Sequence, residues 1–535
     1  MGKKKHPKRR KKCSNSKEKS YLKLEKKGMD VVMVMGVIAP CMGGDPKGEE
    51  DLQSIFLSLN LKLISLIFNF KFMEQSKNHE EYSMIEYQAG EKLYEGVYRI
   101  TNGDNYILYF PLENCVFEAN PQGIALIENI IRIYKDNPLQ IRAEMINIGL
   151  DLPPTIASRN NNPDFGIEKS SDFKPIGVRL LPTSNCNLKC VYCYSHAGEK
   201  DKVKNMPWEI ARSAIDLVIG NAMEAGSKNV YMDFHGGGEP TSNMKLLKAA
   251  VNYFRKQSQT HNLISDIKLI TNAANNPKNI RWLTENIDEL TITFDGPDGQ
   301  TLHRSFKSGQ SSEETVIKNL EFINQSGIPF NIETIVSEQT VCKIPQIAKF
   351  NFERFKNVKS LSFAPVINSG RARDNGIKSL HNSKFLKYIT EAFEIGKNYG
   401  KNIIHTVTTP NQGILEGDFR CGAVRPSFIV TPTGLATSCL EIDSEKGLGN
   451  TFIYGNYIKD KGFVFDTDKL NRLIQLRTKN SICEDCFASY ECGGGCFIRT
   501  MQPDGTRNPF TDNCAMIRGQ VYDYLRAELE SIEDK

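Results

Sequence analysis

Three cysteines within eight residues constrain this chain more than any other feature. Cys186, Cys190 and Cys193 stand in the run TSNCNLKCVYCY, directly after an apolar segment at 176–181 that reads as a β-strand. A loop so spaced brings three thiolates onto one iron-sulfur cluster, and three ligands for four irons leave one iron open to another group. A structural zinc site asks for four protein ligands, usually in CxxC pairs, which this loop alone does not supply.

From residue 176 to about residue 399 strands and helices alternate. Strands are expected at 177–181, 229–234, 267–270, 290–294, 330–336 and 360–365, with helical patterns between them at, for example, 207–225, 244–259, 313–326 and 383–399. Six such repeats predict a parallel sheet wrapped by helices, either an open partial barrel or a doubly wound sheet, with chemistry at the C-terminal strand ends. Chemically marked residues fall at those ends. After the second strand come His235, Gly236, Gly237, Gly238, Glu239 and Pro240; glycines let backbone amides approach a ligand, and Glu239 offers a carboxylate to a cationic group. Thr271 and Asn272 end the third strand with side chains suited to a ribose or, alternatively, to capping the next helix. Asp295, Gly296 and Pro297 end the fourth, Arg304 follows, and Ser369, Gly370 and Arg371 lie past the sixth.

A second cysteine zone begins at Cys421. Gly434 and Cys439 follow in a GxxxxC spacing, then Cys483, Cys486, Cys492, Cys496 and Cys514, with CxxCxxxxxCxxxC as the central block. Spacing alone allows two structural zincs here. Cys13, Cys41, Cys115 and Cys342 are isolated, and the last two read as buried small apolar residues.

The loop CxxxCxΦC, with aromatic Tyr192 directly before its last cysteine, resembles the signature of the radical S-adenosylmethionine (SAM) enzymes, and the resemblance extends over roughly residues 170–520. It implies a 4Fe-4S cluster on Cys186, Cys190 and Cys193, whose open iron chelates the amino and carboxylate groups of SAM. In that reading Gly237, Gly238 and Glu239 form the GGE motif that holds the SAM amino group, Asp295 opens the DGP turn, and Arg304 or Arg371 meets the SAM carboxylate. The seven later cysteines resemble a SPASM extension. Cys483, Cys486, Cys492 and Cys514 would then hold one auxiliary 4Fe-4S cluster, and Cys421, Cys439 and Cys496 another with one coordination place unassigned.

The fold so implied is α/β: a partial (β/α)6 radical SAM barrel with a small α+β N-terminal domain and a Cys-rich C-terminal SPASM domain. The implied function is maturation of a ribosomally made precursor peptide, by hydrogen abstraction that installs a thioether or carbon-carbon crosslink, with flavodoxin or ferredoxin as electron donor. Anaerobic sulfatase maturases, which form formylglycine, are the alternative within the class. They carry an Asp base next to a cluster cysteine, whereas Leu440 follows Cys439 here, so Glu441 or Asp443 would have to stand in. A non-catalytic iron-sulfur or zinc electron-transfer protein would need the cysteines but not Gly237, Gly238 and Glu239.

Composition narrows the remaining classes. At 535 residues, 40% apolar and 24% charged, the chain suits several soluble globular domains. Its net charge of +5 is concentrated in the basic run at 3–27, which argues against a nucleic-acid-binding body. Ten of the fourteen cysteines fall in the two spaced zones, which favours metal and a reducing cytoplasm over a disulfide framework. The apolar stretch 31–39 is too short to span a bilayer, and Pro40 before Cys41 spoils a lipoprotein cleavage site. The stretch 52–73 is long enough, but Lys62 stands near its centre, so no membrane segment is expected.

Domain-like patterning starts near Met84, so 1–84 reads as a basic, poorly ordered extension. Residues 85–152 read as a small β-rich domain, with strands at 97–101, 106–111 and 115–119 and then a helix from Pro121 to about Tyr134. Such a module could present a sheet edge, and it weakly resembles the leader-peptide-binding domains of peptide maturases. Residues 153–174 form a linker, 175–400 the barrel and 401–535 the cysteine-rich domain.

Overall fold

The computed structural model describes residues 20–25, 30–35, 90–153, 173–199, 203–378, 380, 382–405, 422–424, 426–476, 481–492, 494–501 and 512–533. Apart from an antiparallel hairpin, β1 (Ser20–Glu25) and β2 (Asp30–Met35), the expected extension lies outside the described residues, as do most of the expected linker and Cys421.

Four antiparallel strands in chain order follow: β3 (Glu91–Tyr94), β4 (Val97–Asn102), β5 (Asn105–Phe110) and β6 (Cys115–Ala119). Alternation puts Val97, Leu108 and Phe110 on one face, against Ile124 and Ile127 of helix Pro121–Tyr134 and Ile141 of helix Pro138–Asn147. Asn120 and Asn137 cap these helices by accepting from Gly123 and Gln140 N–H, each directly before a proline. Strand β3 and the second helix extend the expected module. The other sheet face, Tyr98, Ile100, Ile107 and Tyr109, packs on Phe487, Tyr490, Val521 and Leu525 near the C-terminus. With both faces covered, β3 and β6 are the edge strands of this sheet among the described residues.

The larger sheet is built on β7 (Gly177–Leu180), β8 (Asn229–Phe234), β9 (Ile264–Thr271), β10 (Glu289–Thr293), β11 (Phe330–Val336), β12 (Val358–Pro365) and β13 (Asn402–His405), all parallel and paired in chain order. Val230, Met232 and Phe234 are fully buried on one face, where helices such as Met244–Thr260 lay down Leu247, Ala250 and Phe254. The alternate residues, such as Asp233, Thr293 and Glu333, face the other side and carry the polar groups. Six parallel strands were expected up to residue 365; among the described residues the run continues to a seventh, Asn402–His405, which is too short after its long helix to announce itself. Beyond β7 the sheet continues through β14 (Ile429–Val430), parallel to β7, and then antiparallel β15 (Leu435–Thr437), β16 (Ile453–Ile458) and β17 (Gly462–Phe465). The eleven strands form one open sheet with β13 and β17 at its edges.

Cys342 corrects one expectation. It is exposed, because the single 3-10 turn that carries it turns its neighbour Val341 into the core instead. Among the described residues no helix is long and apolar enough to cross a membrane.

Candidate active site

The cysteine loop leaves β7 and is stitched on both sides. Thr183 bridges to Asn205 and Leu188 to Phe306, while Lys189 and Val191 N–H donate to the Ser305 and His303 carbonyls at 2.8 and 2.9 Å. Arg371 closes the loop from behind: Nη1 donates to the Cys190 carbonyl at 2.9 Å, Nη2 donates to that of Ala197, and its own N–H donates to that of Cys193 at 3.0 Å. Gly370 precedes it with φ +48°, and a Cβ there would lie 2.4 Å from the Tyr194 carbonyl oxygen, so only glycine fits.

The thiols sit in a dry pocket. Burial pushes the Cys186 thiol up to about 12, with Glu239, Cys190 and Cys193 adding to the rise. Burial also raises Cys190, against the pull of Arg304. Thiols so placed become thiolates only when a strong positive charge holds them. Donors already point at the sulfur: Leu188 N–H lies 3.4 Å and Asn272 Nδ2 3.7 Å from Cys186 Sγ. Among the described residues no three His, Cys, Asp or Glu side chains converge on a point as a lone ion requires. One further group is without a partner: the Tyr194 hydroxyl is buried with no hydrogen bond, and a Cβ on Gly236 would stand 3.5 Å from it. Dry mutually coupled thiols, S-directed donors and an orphan hydroxyl beside a glycine turn fit a cluster with a polar ligand.

The glycine turn lies against this loop, as the motif reading requires. Glu239 N–H donates to the Asn185 carbonyl at 2.7 Å, Ser195 Oγ donates to the Gly237 carbonyl at 2.7 Å, and a Cβ on Gly238 would lie 2.0 Å from the Asn185 oxygen. Glu239 is buried and largely engaged. Its Oε1 accepts from Thr241 N–H, Thr241 Oγ1 and Thr271 Oγ1, and its Oε2 accepts from Asn272 N–H at 2.8 Å. Thr271 and Asn272 are thereby tied to the turn, and Asn272 Nδ2 also donates to Asn187 Oδ1 at 2.9 Å.

Across the site Asp295, fully buried, accepts from the Tyr192 hydroxyl at 2.6 Å and from Ile335 N–H at 3.1 Å. Arg304 donates from Nη1 to the Tyr192 oxygen at 2.8 Å and from Nη2 to Thr293 Oγ1 at 2.5 Å, while its buried Nε has no partner. Sequence reasoning passed over Glu333, the one acid of the strand Phe330–Val336. Burial raises its pKa, opposed by Arg304 and reinforced by Asp295.

The later cysteines fall into two electrostatic groups. Cys486, pushed up to about 11 by burial, feels Cys483 and Cys514; Cys439, pushed up to about 12 by burial, feels Glu441 and Cys496. Cys492 packs with Cys486 beside the N-terminal sheet. Glu441 accepts from Arg499 Nη2 at 2.6 Å; burial raises its pKa, and Arg499 works against that. Burial raises the pKa of the Tyr194 hydroxyl, and the charges of Cys193, Glu441, Cys439 and Glu333 add to the rise.

Parallel strands in chain order, a three-thiol loop on the first of them and a glycine turn on the second define a class of enzyme. Residues 180–350 match the Radical SAM superfamily, a superfamily of enzymes that use a 4Fe-4S cluster and SAM. The chain is 29% identical to an uncharacterized protein of Methanocaldococcus jannaschii over 185 residues, which is 34% of this chain and 60% of that one. It is 24% identical over 348 residues to a cysteine-type anaerobic sulfatase-maturating enzyme of Clostridium perfringens, spanning 60% of this chain and 89% of that enzyme. Among solved structures, native anSMEcpe with bound AdoMet and Cp18Cys peptide superimposes with a TM-score of 0.53 at 21% identity, over 68% of this chain and all of that one.

Proposed function

We propose that this enzyme matures a ribosomally made precursor peptide, abstracting hydrogen from one residue and closing a thioether or carbon-carbon crosslink. The observation that carries this reading is the seating of the β3–β6 sheet on Phe487 and Tyr490, within the run Cys483–Cys492. A leader peptide added as a strand to an edge of that sheet would be held by the same body that holds the auxiliary cysteines.

When bound, the cluster and SAM supply reductive cleavage to a 5′-deoxyadenosyl radical; the rest is positioning by this chain. Cys186, Cys190 and Cys193 hold the cluster. The turn 236–239 presents backbone groups and Glu239 Oε2 to the SAM amino group, and Arg304 brings its free Nε toward the carboxylate. The buried Tyr194 hydroxyl, without a hydrogen bond beside Gly236, is a further polar group for that ligand. Cys483, Cys486, Cys492 and Cys514, and Cys439 with Cys496 and Cys421, would hold auxiliary clusters, which would supply one-electron redox chemistry.

Similarity along 89% of a sulfatase-maturating enzyme favours a second reading, formylglycine formation from a Cys or Ser. Against it, Leu440 occupies the place after Cys439, and Glu441 is already paired with Arg499. Incubation with precursors encoded beside the gene, and separately with a sulfatase-derived peptide, tests the choice by mass spectrometry. A precursor that loses a pair of hydrogens with a new internal link supports crosslinking; an aldehyde on the sulfatase peptide alone overturns it.

A further inference from the structure

Resting on the peptide-maturase reading, we infer that Glu333 touches the substrate and is the base that accepts the proton set free when the new bond closes.

Hydrogen balance calls for such a base. A thioether made from a carbon–hydrogen and a sulfur–hydrogen bond sheds two hydrogens, and a carbon-carbon link made from two carbon–hydrogen bonds does the same. One leaves as an atom, taken by the adenosyl fragment of SAM. The other leaves as an electron, passed to an oxidised iron-sulfur centre, and as a proton, which a carboxylate beside the reacting atoms can take. Oxidation of a cysteine toward formylglycine sheds the same pair from carbon and sulfur, so the base is common to both readings.

The other acids around the site are already committed. On the polar face of the parallel strands Asp233, Asp266 and Glu289 pair with Arg179, Lys268 and Lys359. Glu239 accepts four hydrogen bonds, Asp295 accepts from the Tyr192 hydroxyl and Ile335 N–H, and Glu441 is held by Arg499. Glu333 lies on the same polar face, is half-buried, and makes no side-chain hydrogen bond or ion pair among the described residues.

Its place in the sheet sets it at the reacting end. The parallel register stands Glu333 beside Thr293 of β10 on one side and Ser362 of β12 on the other, with neighbouring strands about 4.8 Å apart. Thr293 Oγ1 accepts from Arg304 Nη2 at 2.5 Å, and Arg304 Nη1 donates at 2.8 Å to Tyr192, between Cys190 and Cys193. One strand spacing therefore separates Glu333 from a side chain linked to the cysteine loop. The charged and titratable groups that face it are Arg304, Asp295 and Tyr194. Burial raises the Glu333 carboxyl, Asp295 adds to the rise and Arg304 opposes it, which moves a carboxylate toward the strength a base needs near neutral pH.

The test uses reconstituted holoenzyme, SAM and the peptide that wild type modifies, either a precursor encoded beside the gene or a sulfatase-derived peptide. In Glu333→Gln, 5′-deoxyadenosine should still form while modified peptide per 5′-deoxyadenosine falls by about a hundredfold, and Glu333→Asp should recover part of the loss. In wild type that ratio should rise with pH through an inflection above the ordinary carboxylate range, and in Glu333→Gln it should be flat. SAM affinity and iron content should match wild type. Metal-free protein gives a readout independent of turnover. Because the folded pKa lies above the unfolded one, the unfolded chain gives up its proton first as pH rises, so wild type loses stability from the ordinary carboxylate range upward and levels off beyond the folded value. The urea midpoint of Glu333→Gln should therefore gain on that of wild type between about pH 4 and about pH 8. Parallel losses of 5′-deoxyadenosine and product with an unmoved pH profile would make Glu333 structural, and full product per 5′-deoxyadenosine in Glu333→Gln would overturn the assignment. Wild type that releases 5′-deoxyadenosine yet modifies neither peptide would overturn the maturase reading and this base with it.

Discussion

Arg304 and Tyr192 meet at 2.8 Å, guanidinium to phenol, and the same phenol donates to Asp295 at 2.6 Å. The aromatic residue before the last loop cysteine is thus fastened through its hydroxyl to the end of the fourth parallel strand. Tyr192→Phe keeps the ring and removes the bridge, leaving a buried carboxylate and a buried guanidinium each short of a partner. Unfolding of the metal-free protein in urea should show a loss of about 2–4 kcal/mol, and SAM affinity of the reconstituted enzyme should fall. An unchanged midpoint would mean that the triad does not hold the loop.

Arg371 is a fastening of a second kind, reaching carbonyls inside the loop rather than side chains around it. In Arg371→Ala, iron retained after reconstitution and desalting should drop toward about two-thirds of wild type, the loss of one cluster in three, and Arg371→Lys should recover only part of it, since one ammonium cannot span both carbonyls. Full iron content in both variants would assign Arg371 elsewhere, such as to the SAM carboxylate.

Glu239 accepts four hydrogen bonds from the protein. Glu239→Ala should therefore destabilise the fold by about 3–5 kcal/mol as well as abolish SAM binding. Glu239→Gln, which keeps the shape, is the cleaner probe: SAM binding should weaken by about tenfold with iron content intact. Isothermal titration with SAM separates the outcomes, and wild-type affinity in Glu239→Gln would remove this carboxylate from the SAM site.

His235 gives a pH signature. Burial, with Arg179 nearby, lowers its pKa to about 4, and Gly236 N–H donates to Nδ1 at 2.6 Å, an arrangement that needs that nitrogen unprotonated. Because the folded pKa lies below the unfolded one, the unfolded chain takes up a proton first as pH falls. Stability from this group is complete above about pH 6.5, declines as pH drops, and levels off below about pH 4, for a total of about 3 kcal/mol. His235→Gln should remove that slope from the difference between denaturation curves at the two ends of the window. An identical slope in wild type and variant would place the titration elsewhere.

The parts of this architecture that read directly from sequence are local ones. The cysteine loop, the glycine turn and the DGP turn are each contiguous, so a few residues carry both the chemistry and its place at a strand end. What stayed hidden depends on contacts across long separations. Arg371 was visible as an arginine near the site, but its partners are carbonyls, which leave no trace in side-chain patterns. Glu333 is the single acid of its strand, a signal that is legible only once the inward face is known. The small β-rich module read only as one that could present a sheet edge; the cover over one face of its sheet was not legible, because Phe487, Val521 and Leu525 lie hundreds of residues away. The strand Asn402–His405 lacked the length to be told from a loop.

The central claim is that three thiols hold an iron cluster whose open corner binds and splits SAM. The most direct measurement is 5′-deoxyadenosine release by anaerobically reconstituted protein given SAM and reductant, with Cys193→Ala as control and metal content determined on the same samples. Iron with 5′-deoxyadenosine from wild type and none from the variant is the predicted result. Zinc in place of iron, or iron-loaded wild type that leaves SAM intact, would contradict it.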